Sequence, residues 1–242
     1  MRTVYFAKRT LKEMLRDPLT LMFGLGFPGV LILLLSAIQA NVPVNLFEID
    51  KLVPGMIVFG LSFMTLFSAS LIAKDRESAF FARLYATPMK VADFILGYTL
   101  PLIPLAIVQG LFCFCLGVVL GMKLTINILY ALIFMIPTAV FFIALGLLCG
   151  SVFTQKQVGG ICGSVLTNLT AWLSGIWFDL EMVGDTFNTV AQALPFAHAV
   201  KLEQVVFAGD FGQILPHFLW VSAYALTTSV FAVLTFMRQM KQ

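Results

Sequence analysis

The sequence predicts an all-α membrane protein in which residues 1–242 form one domain with six transmembrane helices. Hydrophobic residues make up 60% of the chain and charged residues only 11%, whereas a soluble domain has about 25% charged residues. The charged residues are also clustered, so that six long stretches contain no Asp, Glu, Lys or Arg. Because roughly 20 mostly apolar residues cross the hydrocarbon core as a helix, each stretch can supply one span.

The six predicted spans follow one another at short intervals. They are Leu19–Ala40, Val53–Ala73, Phe94–Leu120, Asn127–Gly150, Val158–Trp177 and Pro216–Met237. None of them shows the alternation of polar and apolar residues that is typical of membrane barrel strands. Helices also satisfy their own backbone hydrogen bonds where water is absent. The alternative, core helices of a soluble protein, would leave too little chain to form a polar surface.

Lysine and arginine residues are divided unevenly between the two sides of the membrane that these spans define. Twelve of the 15 lie on the side of the two termini, and only Lys51, Lys123 and Lys201 lie on the other side. Loops rich in lysine and arginine stay in the cytoplasm. We therefore expect a multi-pass protein of the cell membrane with cytoplasmic N- and C-termini.

Residues 1–17 are predicted to form an amphipathic helix at the inner membrane interface. At 100° per residue, five apolar side chains share one arc and four basic side chains share the next. The apolar residues are Val4, Ala7, Leu11, Met14 and Leu15, and the basic residues are Lys8, Arg9, Lys12 and Arg16. Such a helix can bind membrane lipid. Phe6 falls outside the apolar arc, and the alternative is a basic flank that only fixes the topology.

Residues 74–90 form a cytoplasmic segment that mixes both signs of charge with aromatic residues. Phe80, Phe81 and Leu84 share one face of a short predicted helix that ends at Thr87-Pro88. An apolar patch with charged edges is typical of protein contacts. The alternative is a connector that rests on lipid headgroups, and the composition alone does not decide between the two.

Residues 179–213 form the longest external segment of the predicted topology. The segment contains apolar, aromatic and acidic residues, but no apolar run in it is long enough to cross the membrane. We expect its apolar parts to form short re-entrant helices that dip into the outer interface.

Mild polar residues lie within two of the predicted spans. Ser62 and Thr65 are in the second span, and Asn168 and Trp172 are in the fifth. One interpretation is hydrogen bonding between helices, which is common in membrane bundles. The other is a polar lining for the path of an amphipathic substrate.

The sequence lacks the motifs of several chemistries. It contains no G-x-x-x-x-G-K-[ST] phosphate-binding loop, no G-x-S-x-G nucleophile elbow and no metal-ligand spacing of Cys and His. The predicted spans contain no Asp, Glu, Lys or Arg, which ion-coupled transporters usually keep in the membrane. We therefore expect no catalytic residue, no metal, no nucleic-acid partner, and an energy source outside this chain.

Two segments resemble type 2 permeases of ABC transporters. In that family an Arg-Glu pair leads to a leucine and then to a small-Thr-Pro element, as Arg76-Glu77, Leu84 and Ala86-Thr87-Pro88 do here. The family's late region is similar to Leu173-Ser174-Gly175 followed by Leu194-Pro195-Phe196 and Ala199. The sequence departs from the family at Ala79-Phe80, where Gly-Thr is frequent, and it lacks a proline soon after Gly175.

The resemblance implies an assembly of several subunits. Two permease subunits, either identical or paralogous, would pair, and each would engage a separate cytoplasmic ABC ATPase that binds ATP and Mg. The implied ATPase-coupling interface comprises Asp75, Arg76, Glu77, Phe80, Phe81, Arg83, Leu84, Thr87 and Pro88. Substrate would pass between the two permeases beside Ser62, Thr65, Asn168 and Trp172.

The resulting functional hypothesis is a permease subunit of a bacterial ABC exporter. Its cargo would be an amphipathic drug, an antibiotic or a lipid-like compound, because the external parts are small and the expected path is apolar. Export of a polysaccharide or lipid-linked polymer is the alternative within the transporter class. An intramembrane enzyme and a membrane scaffold protein are the alternatives from other classes.

Overall fold

The structure, a computed structural model, describes residues 2–43, 45–78 and 91–239, and every regular element in these ranges is helical. Five helices are long and apolar enough to cross a membrane. They are Met22–Asn41, Ile49–Glu77, Ala92–Val119, Asn127–Val152 and Phe211–Gln239. The prediction of an all-helical membrane protein is thereby confirmed, and the five helices correspond to five of the six predicted spans.

The described helices are numbered here in chain order, with kinked spans divided at the kink. They are α1 (Arg2–Arg16), α2 (Pro18–Leu21), α3 (Phe27–Asn41), α4 (Ile49–Glu77), α5 (Val91–Thr99), α6 (Leu102–Val119), α7 (Asn127–Phe134), α8 (Ile136–Val152), α9 (Gln155–Gly160), α10 (Thr167–Leu173), α11 (Asp185–Ala193), α12 (Pro195–Ala208) and α13 (Ile214–Gln239). Two π-helical segments, Met22–Gly26 and Ile161–Leu166, join α2 to α3 and α9 to α10.

Prolines explain two of the kinks. A turn at Leu100-Pro101 separates α5 from α6, and Met135, two residues before Pro137, separates α7 from α8. Proline lacks an amide hydrogen, and its ring clashes with the preceding turn. The hydrogen-bond ladder still continues through Met135, whose amide donates to Ala131 and whose carbonyl accepts from Ala139, each at 2.9 Å. Each pair of helices therefore still spans the membrane as one bent unit.

Helix α4 is the centre of the bundle. In its most apolar stretch 83% of the residues are buried, against 22% for Phe211–Gln239 and 28% for Met22–Asn41. Helix α8 packs along α4 on one side and α13 on the other. Close approach of α4 and α8 requires small residues, since a Cβ on Gly146 would lie only 2.5 Å from the Thr65 carbonyl oxygen.

The N-terminal helix forms as predicted but buries a different face. Its buried residues are Phe6, Thr10 and Met14, spaced by four, whereas Val4 and Leu15 are more than half exposed. The Phe6 ring packs edge-on against Tyr98, with 4.9 Å between ring centroids. Phe6, which the amphipathic pattern leaves out, is therefore the residue that anchors α1 to the bundle.

The predicted fifth span is helical from residue 155 to 173 but is not among the five apolar helices. It ends four residues before the predicted bound at Trp177, close to Gly175, whose φ of +74° interrupts the helix. After it, α11 and α12 form as the short helices predicted for residues 179–213. Helix α12 packs against α4, α7 and α13, and nine of its residues are buried.

Candidate functional site

Three segments meet at one end of the bundle, which we call the basic end. They are α1, the last turn of α4, and residues 153–155 at the start of α9. The segment predicted to couple to an ATPase, residues 74–90, begins there. The other two segments are each connected to the end of α4 by polar contacts.

Asp75 joins α1, α4 and α5. Its carboxylate accepts two hydrogen bonds from the Arg9 guanidinium, at 2.7 and 2.8 Å, and a third from the Tyr98 hydroxyl at 2.8 Å. The side chain lies in a buried position, with 4% exposure of the residue. Hydrogen bonding to Asp75 raises the pKa of the Arg9 guanidinium. Asp75 therefore fixes the position of α1 from inside the protein.

Arg76 and Glu77 connect α4 to the start of α9. The Arg76 guanidinium donates to the Phe153 carbonyl at 3.0 Å, and the Glu77 carboxylate accepts from the backbone amide of Gln155 at 2.8 Å. Thr154 then caps α9 in a reciprocal pair of hydrogen bonds with Gln157. A displacement of residues 76–77 would therefore be transmitted to the helical run that continues to Leu173.

The remaining predicted coupling residues lie outside the described residues. They are Phe80, Phe81, Arg83, Leu84, Thr87 and Pro88. Of the described three, Glu77 is exposed and Arg76 is half-buried, whereas Asp75 is buried and its carboxylate is occupied within the chain. Glu77 and, in part, Arg76 are therefore accessible to a partner, whereas Asp75 is not.

The four predicted path residues fall into two groups. Ser62 and Thr65 are fully buried, and their hydroxyls donate to the carbonyls of Phe59 at 2.6 Å and Phe142 at 2.9 Å. The Thr65 hydroxyl therefore bonds from α4 to α8, as the first of the two interpretations expects, whereas the Ser62 hydroxyl bonds within α4. Asn168 and Trp172, in contrast, are exposed on α10.

The exposed side of the α9–α10 run is amphipathic. Trp172 and Val165 are more than half exposed, and Leu169 is 44% exposed. Asn168 lies between them, and its amide donates to the Ser164 carbonyl at 2.8 Å. This face presents apolar surface together with one amide group. It can contact an amphipathic compound or a second copy of the chain.

Three features escaped the sequence reasoning. A cleft of about 1240 Å³ opens between α1, α4 and α9 and has a rim of basic residues. Glu203 on α12 is fully buried, and its carboxylate has no hydrogen-bond partner among the described residues. His198 and His217 face each other with 2.8 Å between their Nδ1 atoms. Only the basic residues of α1 gave a signal in the sequence.

Glu203 lies on the buried side of α12, where α12 packs among the helices of the bundle. Burial raises the pKa of this carboxyl well above its ordinary value. In the part of the chain that the structure describes, no cluster of three or more His, Cys, Asp or Glu residues could hold a metal ion.

Comparison with known proteins gives one match. The sequence model of the ABC-2 type transporter family matches residues 2–207. The match extends from α1 to α12 and includes all the residues of the basic end and of the α9–α10 face. A search among curated proteins finds no matching relative.

Proposed function

Because the chain belongs to the ABC-2 type transporter family, we propose that it is the permease subunit of an ATP-driven exporter for an amphipathic drug, antibiotic or lipid-like compound. The family implies a membrane component of a transporter that works with an ABC ATPase. The proposal goes further in naming the class of cargo and the outward direction. It also places ATP and Mg in the partner ATPase rather than in this chain.

The pair of contacts made by Arg76 and Glu77 carries the mechanism. Residues 79–90 would sit on the ATPase, and residues 76–77 lie immediately before them in the chain. Their bonds to Phe153 and Gln155 connect this segment to the α9–α10 run. A push from the ATPase would therefore move the helix that carries Asn168 and Trp172. Asp75 would hold α1 and α5 fixed against that movement.

The α9–α10 face supports a path between two permease subunits. A helix face with exposed Val165, Leu169 and Trp172 is stable in lipid, but Asn168 is better placed beside a second subunit or a polar cargo. Two copies or two paralogues would bring two such faces together. Apolar surface with a few amide groups suits an amphipathic molecule better than a fully polar one.

The proposed orientation places the basic end in the cytoplasm, as the distribution of lysine and arginine predicts. The run from residue 155 to 173 would then be a sixth crossing that is shielded by the second subunit. A shielded position explains why this run can be more polar than the other five. Residues 179–208 would lie on the external side with α12 as the re-entrant helix.

Transport measured in inside-out vesicles tests the proposal. The chain is produced together with a partner ABC ATPase, and uptake of a fluorescent amphipathic dye is compared with ATP, ADP and a non-hydrolysable analogue. We expect uptake only with ATP and only with both proteins present. Uptake by the purified chain alone, or uptake that is indifferent to the nucleotide, would contradict the proposal. Accumulation of a labelled polysaccharide instead of the dye would favour the polymer alternative.

A further inference from the structure

A large cleft lies beside α1 at the basic end. Its volume is about 1240 Å³, which exceeds the roughly 300–1,000 Å³ of pockets for small molecules. The floor is apolar and comes from α4 and the first π segment, through Phe23, Leu66, Phe67 and Leu71. Such a floor fits hydrocarbon chains.

The rim of the cleft carries an excess of positive charge. Five basic residues line it, against the acidic residues Glu13 and Asp17. Glu13 is already paired with Arg9 at 3.0 Å and with Lys74 at 2.6 Å. For Lys8, Lys12 and Arg16 the described residues provide no ion pair, and all three are exposed. A negatively charged group can therefore bind there without displacing an internal partner.

The basic rim and the apolar floor of the cleft lie on different parts of the chain. Lys8, Lys12 and Arg16 belong to α1, while the apolar residues lie on the membrane-spanning part of the chain. A molecule that follows this arrangement has an anionic head at the interface and apolar chains directed into the membrane. Free phosphate would use the rim but would leave the floor uncovered.

We propose that this cleft binds an anionic phospholipid of the cytoplasmic leaflet, with its phosphate at Lys8, Lys12 and Arg16 and an acyl chain along Phe67 and Leu71. The assignment to the cytoplasmic leaflet rests on the orientation proposed above. The charge and shape of the cleft are independent of that orientation. Clusters of lysine and arginine at a membrane surface attract anionic lipids. Here the apolar floor adds a defined place for the chain, which a purely electrostatic contact lacks.

Photolabelling in nanodiscs tests the site. The purified protein is placed in phosphatidylcholine nanodiscs that contain a small fraction of phosphatidylglycerol with a photoreactive acyl chain, and the labelled residues are mapped by mass spectrometry. The test variant combines Lys8→Gln, Lys12→Gln and Arg16→Gln. The matched control removes the same charge elsewhere, through Lys51→Gln, Lys123→Gln and Lys201→Gln.

We expect labelling of residues 66–71 to fall by about tenfold in the test variant, equivalent to about 1.4 kcal/mol, and to stay nearly unchanged in the control. A photoreactive phosphatidylcholine should label residues 66–71 weakly and equally in all three proteins. Equal labelling by the two lipids, or an equal loss in both variants, would overturn the proposal. So would competition by soluble glycerol phosphate as effective as that by phosphatidylglycerol.

A second variant tests the floor independently of the charges. Ser70 lines the cleft and is half-buried, so Ser70→Trp should fill the space for the chain while the basic rim stays intact. We expect the same loss of labelling from this variant, with an unchanged elution volume in gel filtration as the test of folding. Retained labelling would overturn the proposal. Because no ATPase and no transport enter these measurements, failure of the exporter proposal would leave their outcome unaffected.

Discussion

Asp75 shows how one side chain organises the basic end of the bundle. Removing two charges from water costs several kcal/mol for each ion, and a buried pair recovers this only with good geometry and further hydrogen bonds. The Arg9–Asp75 pair has both, because the guanidinium binds in a bidentate manner and the Tyr98 hydroxyl satisfies the carboxylate further. The pair therefore specifies where α1 docks.

Replacement of Asp75 with alanine should destabilise the protein. The change leaves the Arg9 guanidinium, whose side chain is 35% exposed, and the buried Tyr98 hydroxyl without their shared acceptor, and hydrogen bonds to a charged group contribute about 1.5–3 kcal/mol. We expect a clearly lower midpoint in thermal unfolding of the purified protein. The control is Glu48→Gln, which breaks the exposed pair with Lys51 and should cost less than about 1 kcal/mol. Equal midpoints for the two variants would show that the Asp75 network does not stabilise the fold.

Glu203 should make stability depend on pH in an unusual direction. Because burial raises the pKa of this carboxyl in the folded state, the folded protein keeps its proton at pH values where the unfolded chain has lost it. The stability of the wild type then falls as pH rises from the ordinary carboxyl pKa of about 4.3 toward the folded value, by up to about 1.4 kcal/mol per pH unit. A glutamine at position 203 has a similar shape and no charge, so it would avoid this loss of stability at high pH.

Glu203→Gln should therefore be more stable than the wild type at pH 8, and the difference should shrink toward pH 5. Thermal unfolding at several pH values measures it. Glu181→Gln, at an exposed position of the same external segment, is the matched control and should show no such trend. A difference between Glu203→Gln and the wild type that stays constant with pH would indicate that the carboxyl is ionised in the folded state.

At the scale of elements, α4 and α8 can pack closely because α8 has a glycine, Gly146, where it meets α4. A Cβ added to Gly146 would lie 2.5 Å from the Thr65 carbonyl oxygen and 2.6 Å from the Ser68 Cβ. Under 3 Å, backbone must move, and the hydroxyl bonds of Thr65 and Ser68 to the α8 carbonyls would lengthen. The two helices are a single packed unit on which the other helices are arranged.

Gly146→Ala should consequently destabilise the bundle even though alanine favours helices. We expect a loss of about 1–3 kcal/mol from overpacking, measured as a lower midpoint in thermal unfolding. Gly26→Ala is the control, since Gly26 has helical backbone angles and no neighbour within 4 Å of the added Cβ. That variant should be neutral or slightly stabilising. A neutral result at Gly146 would mean that the helices can separate slightly without loss.

The contact between α4 and the start of α9 should determine coupling rather than folding. Arg76→Ala removes the donor to the Phe153 carbonyl, so movement of the coupling segment would no longer reach α9. We expect ATP-dependent dye uptake to fall severalfold while the amount of protein in the membrane is retained. Lys156→Ala is the control, because Lys156 is exposed beside this contact and makes no ion pair among the described residues. Equal uptake in both variants would contradict the coupling role.

At the scale of the molecule, apolar length predicted most of the fold. Five predicted spans match helices within a few residues, because twenty apolar residues have few alternatives to a membrane helix. The contacts that define the site were less accessible to prediction. The pairing of Arg9 with Asp75 joins residues 66 positions apart, and a single sequence carries no signal for such a pair.

Two further differences have the same physical origin. The amphipathic pattern describes a helix that lies on lipid, and it leaves Phe6 outside the apolar face. In the structure the Phe6 ring instead packs against Gly97 of α5, where there is no side chain. Thr65 could be assigned to packing or to a path from the sequence, and its hydrogen bond to the Phe142 carbonyl of α8 is seen only in the structure. Periodicity predicts which side chains share a face, but the surface opposite that face comes from the rest of the chain.

The last prediction concerns whether the chain crosses the membrane five or six times, because this number decides whether the two termini lie on the same side. If the run from residue 155 to 173 crosses the membrane, Lys12 and Arg238 lie on the same side, and Lys123 lies on the other. With only five crossings, Arg238 would be on the opposite side from Lys12.

Cysteine labelling distinguishes the two cases. Since Cys113, Cys149 and Cys162 are buried and only Cys115 is exposed, a Cys115→Ser background permits single cysteines at the exposed positions Lys12, Lys123 and Arg238. A membrane-impermeant maleimide applied to intact cells should label Lys123→Cys alone, and permeabilised cells should show labelling of all three. Labelling of Arg238→Cys in intact cells would reduce the bundle to five spans, and labelling of Lys12→Cys would reverse its orientation. The charge distribution favours neither outcome, because five crossings would place Arg238 and Lys241 on the outside, and a reversed orientation would place twelve of the 15 basic residues there.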